Sequence, residues 1–130
     1  MSGIEKLNEL IELSNDPIVL KDTKFKLTGQ EVIIEANTPV KGISERYIDG
    51  SVEAPDWYKD LMKINSKRPI LIINNINSID EVQQARFLDL IKYKKVGSFT
   101  LPENTLILIT YYSSEKYKLN ESIASLVMHM

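Results

Sequence analysis

Residues 69–73, Pro-Ile-Leu-Ile-Ile, form an unbroken apolar run closed by Lys67-Arg68 before it and Asn74-Asn75 after it. Such a run lacks the alternation of polar and apolar residues that marks a strand with one wet face. A strand with no polar face has to be buried on both, which is the situation of a strand inside a parallel sheet. Residues 106–110, Leu-Ile-Leu-Ile-Thr, repeat the pattern. Residues 31–36, Glu-Val-Ile-Ile-Glu-Ala, add a stretch rich in β-branched side chains, and Pro17-Ile-Val-Leu20 adds a shorter one.

The segments between these strands carry helical signals. Ile4, Leu7, Leu10, Ile11 and Leu13 recur at helical spacing until Asn15-Asp16-Pro17 ends the pattern. Asp56 is placed to cap a helix through Trp57, Tyr58, Leu61, Met62 and Ile64. Ser78-Ile-Asp-Glu81 reads as a capping box ahead of Val82, Ala85, Leu88 and Ile91 on one face. Lys92, Lys94 and Lys95 suit the carbonyl end of that helix, and Gly97 reads as its stop. Asn120 is placed to cap a last helix through Ile123, Ala124, Leu126 and Val127. Residues 21–30 are too few for a parallel crossover. Either Lys24–Leu27, which alternates polar with apolar residues, forms an antiparallel edge hairpin or the first strand is displaced, and the alternation favours the hairpin. Residues 37–56, punctuated by Pro39, Gly42, Gly50 and Pro55, read as a long loop. Strands alternating with helices imply one α/β domain over residues 1–130, with about four to five parallel strands in a three-layer arrangement.

Composition narrows the function classes. The chain has no cysteine, so thiolate metal sites and a disulfide framework are excluded. No apolar signal core opens the sequence and no apolar run approaches spanning length, so the expected location is the cytoplasm, without membrane contact. A net charge of -2 gives no basic excess for non-specific phosphate binding. His129 is the only histidine, which rules out a His-based triad or metal cluster. Glu53 and Asp56 share one loop, but capping accounts for Asp56 and leaves no carboxylate pair for glycosidase chemistry. Lys92–Lys95 is first a solvated helix end and only second a phosphate patch.

Ligands of parallel sheets bind at the carboxyl ends of the strands, here Lys21-Asp22, Asn74-Asn75 and Tyr111-Tyr112. Asn74-Asn75 reads either as a ligand-binding pair or as amides satisfied by backbone groups. Tyr111, Tyr112 and Tyr117 beside Lys116 and Lys118 suit stacking on a single strand, or are surface tyrosines of a strand-end loop. Trp57 packs a helix on the sheet or anchors a partner. Together Trp57, Tyr111, Tyr112 and Tyr117 are the candidate partner surface.

The second half of the chain is similar to the core of MoxR-type AAA+ ATPases, the kind found beside von Willebrand-factor-A proteins. Residues 69–84 resemble that family's Walker B strand and following helix, written L-F-L-D-E-L-N-T-A-P-P-x-V-Q. Residues 90–102, Leu-Ile-Lys-Tyr-Lys-Lys-Val-Gly-Ser-Phe-Thr-Leu-Pro, resemble L-V-x-E-R-R-V-G-x-Y-T-L-P. Ala54-Pro-Asp-Trp57 resembles A-P-P-D-W, and residues 119–130 resemble L-x-P-x-L-A-N-R-F-x-H-L. The likeness runs in order over about residues 31–130. It implies a truncated P-loop NTPase-type sheet with strand order 17–20, 106–110, 69–73, 31–36.

The departures fall on the chemistry. Asn74 and Asn75 stand at the Walker B aspartate and glutamate positions, and an amide neither binds a hard cation by charge nor accepts a proton near neutral pH. Tyr112 stands at the sensor asparagine and Leu126 at the arginine finger. No G-x-x-x-x-G-K-[ST] phosphate loop exists, and the family's helical lid finds no counterpart. The resemblance therefore implies a pseudo-ATPase, not an enzyme, with no catalytic residue, cofactor or metal. It is expected to act through protein contacts, with an AAA+ relative or a second copy. The alternative is a nucleic-acid-binding accessory in replication or phage biology.

Overall fold

In the computed structural model, residues 17–22, 31–64 and 68–129 are described. The apolar runs form the strands the sequence predicts. Ile18–Lys21 (β1) and Glu31–Glu35 (β2) come first. A short helix, Val40–Ile43 (α1), and two strands, Arg46–Ile48 (β3) and Ser51–Glu53 (β4), occupy the stretch read as a loop. Asp56–Met62 (α2) leads to the central strand Ile70–Asn74 (β5). A 3₁₀ turn at Ile76–Ser78 precedes Glu81–Gln84 (α3), a second 3₁₀ turn at Ala85–Phe87, and Leu88–Tyr93 (α4). A two-stranded ribbon, Lys95–Val96 (β6) with Phe99–Thr100 (β7), is followed by Leu106–Tyr111 (β8), Glu121–Ala124 (α5) and Met128–His129 (β9).

Five strands make one parallel sheet in the order β2-β5-β8-β1-β9. Four of them stand in the expected order, and β9 extends the sheet beyond β1. Side chains alternate between its faces. Val19, Leu71, Ile73, Ile107 and Ile109 pack under Trp57, Leu61, Phe87, Leu90, Ile91 and Ile123 of the described helices. Ile18, Leu20, Ile72, Leu106 and Leu108 form the opposite face and are equally buried. Burial on both faces is why β5 carries no polar residue before Asn74 and β8 none before Thr110. Each fully buried Leu or Ile contributes about 1.5–3 kcal/mol. The helix expected over Ile4–Leu13 and the hairpin expected at Lys24–Leu27 lie outside the described residues.

Several local expectations need correction. Asp49 (φ 49°) and Gly50 (φ 80°) form a turn with two positive φ angles, which joins β3 to β4 as a hairpin. The Asp-Gly pair in Tyr47-Ile-Asp-Gly-Ser-Val52 is the sequence signal for such a turn, and it marks a hairpin rather than a loop. Pro55, not Asp56, occupies the cap position of α2, and Asp56 instead pairs with Arg46 at 3.2 Å. Asp80, two residues after Ser78, caps α3 by accepting from Gln83 N–H at 2.8 Å. The 3₁₀ turn after α3 rotates the helical face, so Phe87, Leu90 and Ile91 point inward while Val82 is 84% exposed. Asn120 caps α5 as expected, through Ser122 and Ile123 N–H, but the helix ends at Ala124 and the chain continues into β9.

Lys94 (φ 54°), not Gly97, takes the left-handed position that stops α4. Gly97 turns the β6–β7 ribbon at φ 57°, and a Cβ there would lie 2.2 Å from the Glu45 carboxyl carbon. That carboxylate accepts from Ser98 N–H and Ser98 Oγ–H, both at 3.1 Å, and so ties the ribbon to the base of the β3–β4 hairpin. Gly97→Ala therefore meets a disfavoured backbone region, at about 1–2 kcal/mol, and displaces the Glu45 carboxylate from its hydrogen bonds with Ser98. It is expected to lower the melting temperature by at least about 5 °C. A thermal melt unchanged from wild type would disprove this account of the ribbon.

Candidate functional site

The carboxyl ends of β1, β8, β5 and β2 stand side by side, which brings Lys21-Asp22, Tyr111-Tyr112, Asn74-Asn75 and Glu35 to one edge of the sheet. Asn74 ends β5. Its Nδ2–H₂ donates to both Glu35 carboxylate oxygens, at 3.1 and 3.0 Å, and its Oδ1 accepts from Thr110 Oγ–H at 2.7 Å. The Tyr112 hydroxyl lies 3.5 Å from the same Oδ1. Asn75 takes the left-handed conformation (φ 60°, ψ 51°), which asparagine tolerates better than most residues. Its backbone N–H donates to Thr110 Oγ at 2.8 Å and its Nδ2 to Glu115 Oε1 at 3.3 Å. Side chains, and not the backbone groups expected from sequence, thus partner both NH₂ groups and the Asn74 oxygen. Asn75 Oδ1 is buried without a hydrogen-bond partner.

Both amide NH₂ groups are spent on carboxylates, which an aspartate and a glutamate at these positions would repel. Among the described residues no cluster of three or more His, Cys, Asp or Glu side chains is placed to hold a metal ion. No described helix is long and apolar enough to cross a membrane.

The segment after β8, Tyr112 to Asn120, has no regular structure, yet three side chains from other elements fasten it. Asn77, 2% exposed, donates to the carbonyls of Tyr112 (2.7 Å) and Tyr117 (3.0 Å) and accepts from Tyr112 N–H at 3.0 Å. Gln84, wholly buried, donates to the carbonyls of Ile79 (3.0 Å) and Lys118 (2.7 Å) and accepts from Asn120 N–H at 2.7 Å. Asp22 follows β1 in a left-handed conformation, and its carboxylate accepts from Ser113 N–H at 2.8 Å and Ser113 Oγ–H at 2.7 Å. Asn77 and Gln84 were not singled out as site residues in the sequence. The available signal is a polar residue among apolar ones: Asn77 stands between Ile76 and Ile79, and Gln84 within the apolar pattern of residues 78–91.

The fastened segment walls a groove of about 360 Å³ with the end of β8. Three of the four residues expected on a partner surface, Tyr111, Tyr112 and Tyr117, line it together. The fourth does not. Trp57 is 7% exposed and its indole N–H donates to the Ile43 carbonyl at 2.8 Å, so it packs α2 onto the sheet and offers no outer surface. Leu126 lies apart from this edge, beside Leu88, Lys92 and Tyr93 in a second hollow of about 310 Å³.

Hydrogen bonds from Ser113, first its backbone N–H and then its hydroxyl, hold the Asp22 carboxyl below the ordinary aspartate range. Ser98 does the same for Glu45, chiefly through its backbone N–H. A carboxyl whose folded-state pKa is depressed adds stability that is complete above its unfolded pKa, near 4, and lost as pH falls through the folded value. Denaturant midpoints should therefore fall below about pH 4, and Asp22→Asn should flatten the dependence. An unchanged pH profile in the variant would contradict this assignment.

Comparison with known proteins finds no match: no protein family fits the chain, and no curated protein or solved structure is significantly similar to it.

Proposed function

We propose that the chain is a catalytically inactive AAA+-like module that works through contacts with other proteins. The observation that carries this proposal is the state of the two amides at the end of β5. In the resemblance drawn from residues 31–130, these positions hold magnesium and activate water. Here Asn74 and Asn75 are hydrogen-bonded to Glu35, Thr110 and Glu115. The order of β1, β8, β5 and β2 is the order that the same resemblance implies, which supports the assignment of positions. At the sensor position the Tyr112 backbone N–H is committed to Asn77, and its side chain presents a hydroxyl in place of an amide. Leu126 supplies no positive charge for a neighbouring site.

A module of this kind keeps the shape of a nucleotide-hydrolysing subunit without its turnover. Its contribution is then positional, as a fixed member of an assembly. The phosphate affinity of this class comes mainly from backbone N–H groups and a lysine in a glycine-rich loop, and the sequence has no such loop. Calorimetric titration with Mg-ATP is expected to show no saturable heat up to millimolar nucleotide. A dissociation constant in the micromolar range would refute the proposal.

A further inference from the structure

The groove beside β8 has a chemistry that the inactive-ATPase proposal leaves unused. Its walls carry Lys21, Lys116 and Lys118 with Tyr111, Tyr112 and Tyr117, and among the described lining residues Glu115 is the one carboxylate. That carboxylate accepts from Asn75 Nδ2, and the nearby Asp22 carboxylate is held by Ser113. Lys21, Lys116 and Lys118 stand against the Glu115 and Asp22 carboxylates, which leaves one positive charge in excess at the rim. Tyrosine hydroxyls add donors suited to carboxylate oxygens.

The groove is also built rather than incidental. Asn77 and Gln84 are buried, and six hydrogen bonds commit them, five to the Tyr112–Asn120 segment and one to the Ile79 carbonyl. Fully satisfied buried networks rigidify what they hold, and a wall already fixed loses little conformational entropy on binding. A stacking platform for bases requires open aromatic faces. Two of the three rings here already carry a lysine: Lys21 sits 6.0 Å from the Tyr111 centroid and Lys116 5.5 Å from that of Tyr117. Lysines over two of the three rings leave less open aromatic face for bases, and the excess of lysine at the groove favours carboxylates over nucleobases.

We propose that this groove docks an acidic peptide segment of a partner protein. The proposal rests on the protein-contact function above, and it gives that contact a place and a charge. The test uses the full chain and fluorescence anisotropy with three labelled probes of equal length: a glutamate-glycine peptide, a lysine-glycine peptide and oligothymidine. The glutamate peptide should bind saturably, more weakly at high salt, and the lysine peptide should not. Reversing two exposed charges, Lys116→Glu with Lys118→Glu, should weaken binding about tenfold or more without shifting the melting temperature. Absence of saturable binding by the glutamate peptide, or binding indifferent to the reversal, would overturn the proposal. Tighter binding of oligothymidine would overturn it as well and assign the groove to single-stranded nucleic acid. The Mg-ATP titration reads the inactive-ATPase proposal separately, so either can fail while the other stands.

Discussion

Asn74→Asp combined with Asn75→Glu is expected to release no phosphate from Mg-ATP and to melt well below wild type at neutral pH. The substitution restores the Walker B carboxylates of the resembling family, but nothing in the sequence positions a triphosphate beside them. Its structural effect is the larger one. Asn74 donates to both oxygens of Glu35, at 3.1 and 3.0 Å, so an aspartate there would set carboxylate against carboxylate. Asn75 donates to Glu115, and a glutamate would repeat the conflict while occupying a left-handed backbone position that disfavours it. Lost charge-assisted hydrogen bonds and new repulsion, discounted for the solvent around Glu35, come to about 2–3 kcal/mol, or roughly 8–12 °C.

The sign with pH is fixed. Like charges raise the folded-state pKa of the new carboxyls, so the destabilisation is present at neutral pH and fades as pH falls through the raised value. The difference in melting temperature between wild type and variant should therefore shrink on acidification toward about pH 4. Steady-state phosphate release and melting across that range are the measurements. Magnesium-dependent hydrolysis above the wild-type background would mean that a working nucleotide site exists, and the inactive-module proposal would fall.

Gln84→Met should cost about 2–4 kcal/mol, although it nearly preserves side-chain volume. The glutamine is fully buried and joins three backbone groups: the carbonyls of Ile79 and Lys118 and the amide of Asn120. A thioether offers no donor and a poor acceptor, so three groups lose their partner at about 1 kcal/mol or more each. The loss should be local before it is global. Hydrogen exchange at the Asn120 amide should accelerate far more than at Ile72 or Leu108 in the middle of the sheet. Uniform acceleration over the sheet and the segment would show that Gln84 supports the core as a whole and does not act as a fastener of the groove wall.

What the sequence made legible follows the strength of local signals. β5 and β8 were visible because an apolar run with no polar face has one structural use, and their parallel pairing followed from it. The edge where Lys21-Asp22, Asn74-Asn75 and Tyr111-Tyr112 meet was legible for the same reason. The β3–β4 hairpin was missed although Asp49-Gly50 announces it, because the strands are three residues each and expose Tyr47, Ile48 and Val52. Without a buried face such strands leave no hydrophobic period. The inward turn of α3 and α4 was missed because a 3₁₀ turn between them shifts the register, and no residue at 85–87 forbids either geometry. The groove was half legible: its tyrosines and lysines are adjacent in sequence, whereas the residues that fasten it, Asn77 and Gln84, act across 34 to 40 positions.

The place of β1 has a consequence for how the chain is made. Ile18 pairs with Leu108 on one side and with Met128 on the other, so the earliest described strand lies between the two latest. On a ribosome, β1 emerges before either of its sheet partners and pairs only after residues 108–111 and 128–129 have left the exit tunnel. Pairing at that distance carries a loop-closure penalty that nearest-neighbour contacts do not, and folding of such topologies is slow. Ile18, Val19 and Leu20 are then an apolar stretch for a holding chaperone to cover, and the last few residues of the described chain complete the sheet.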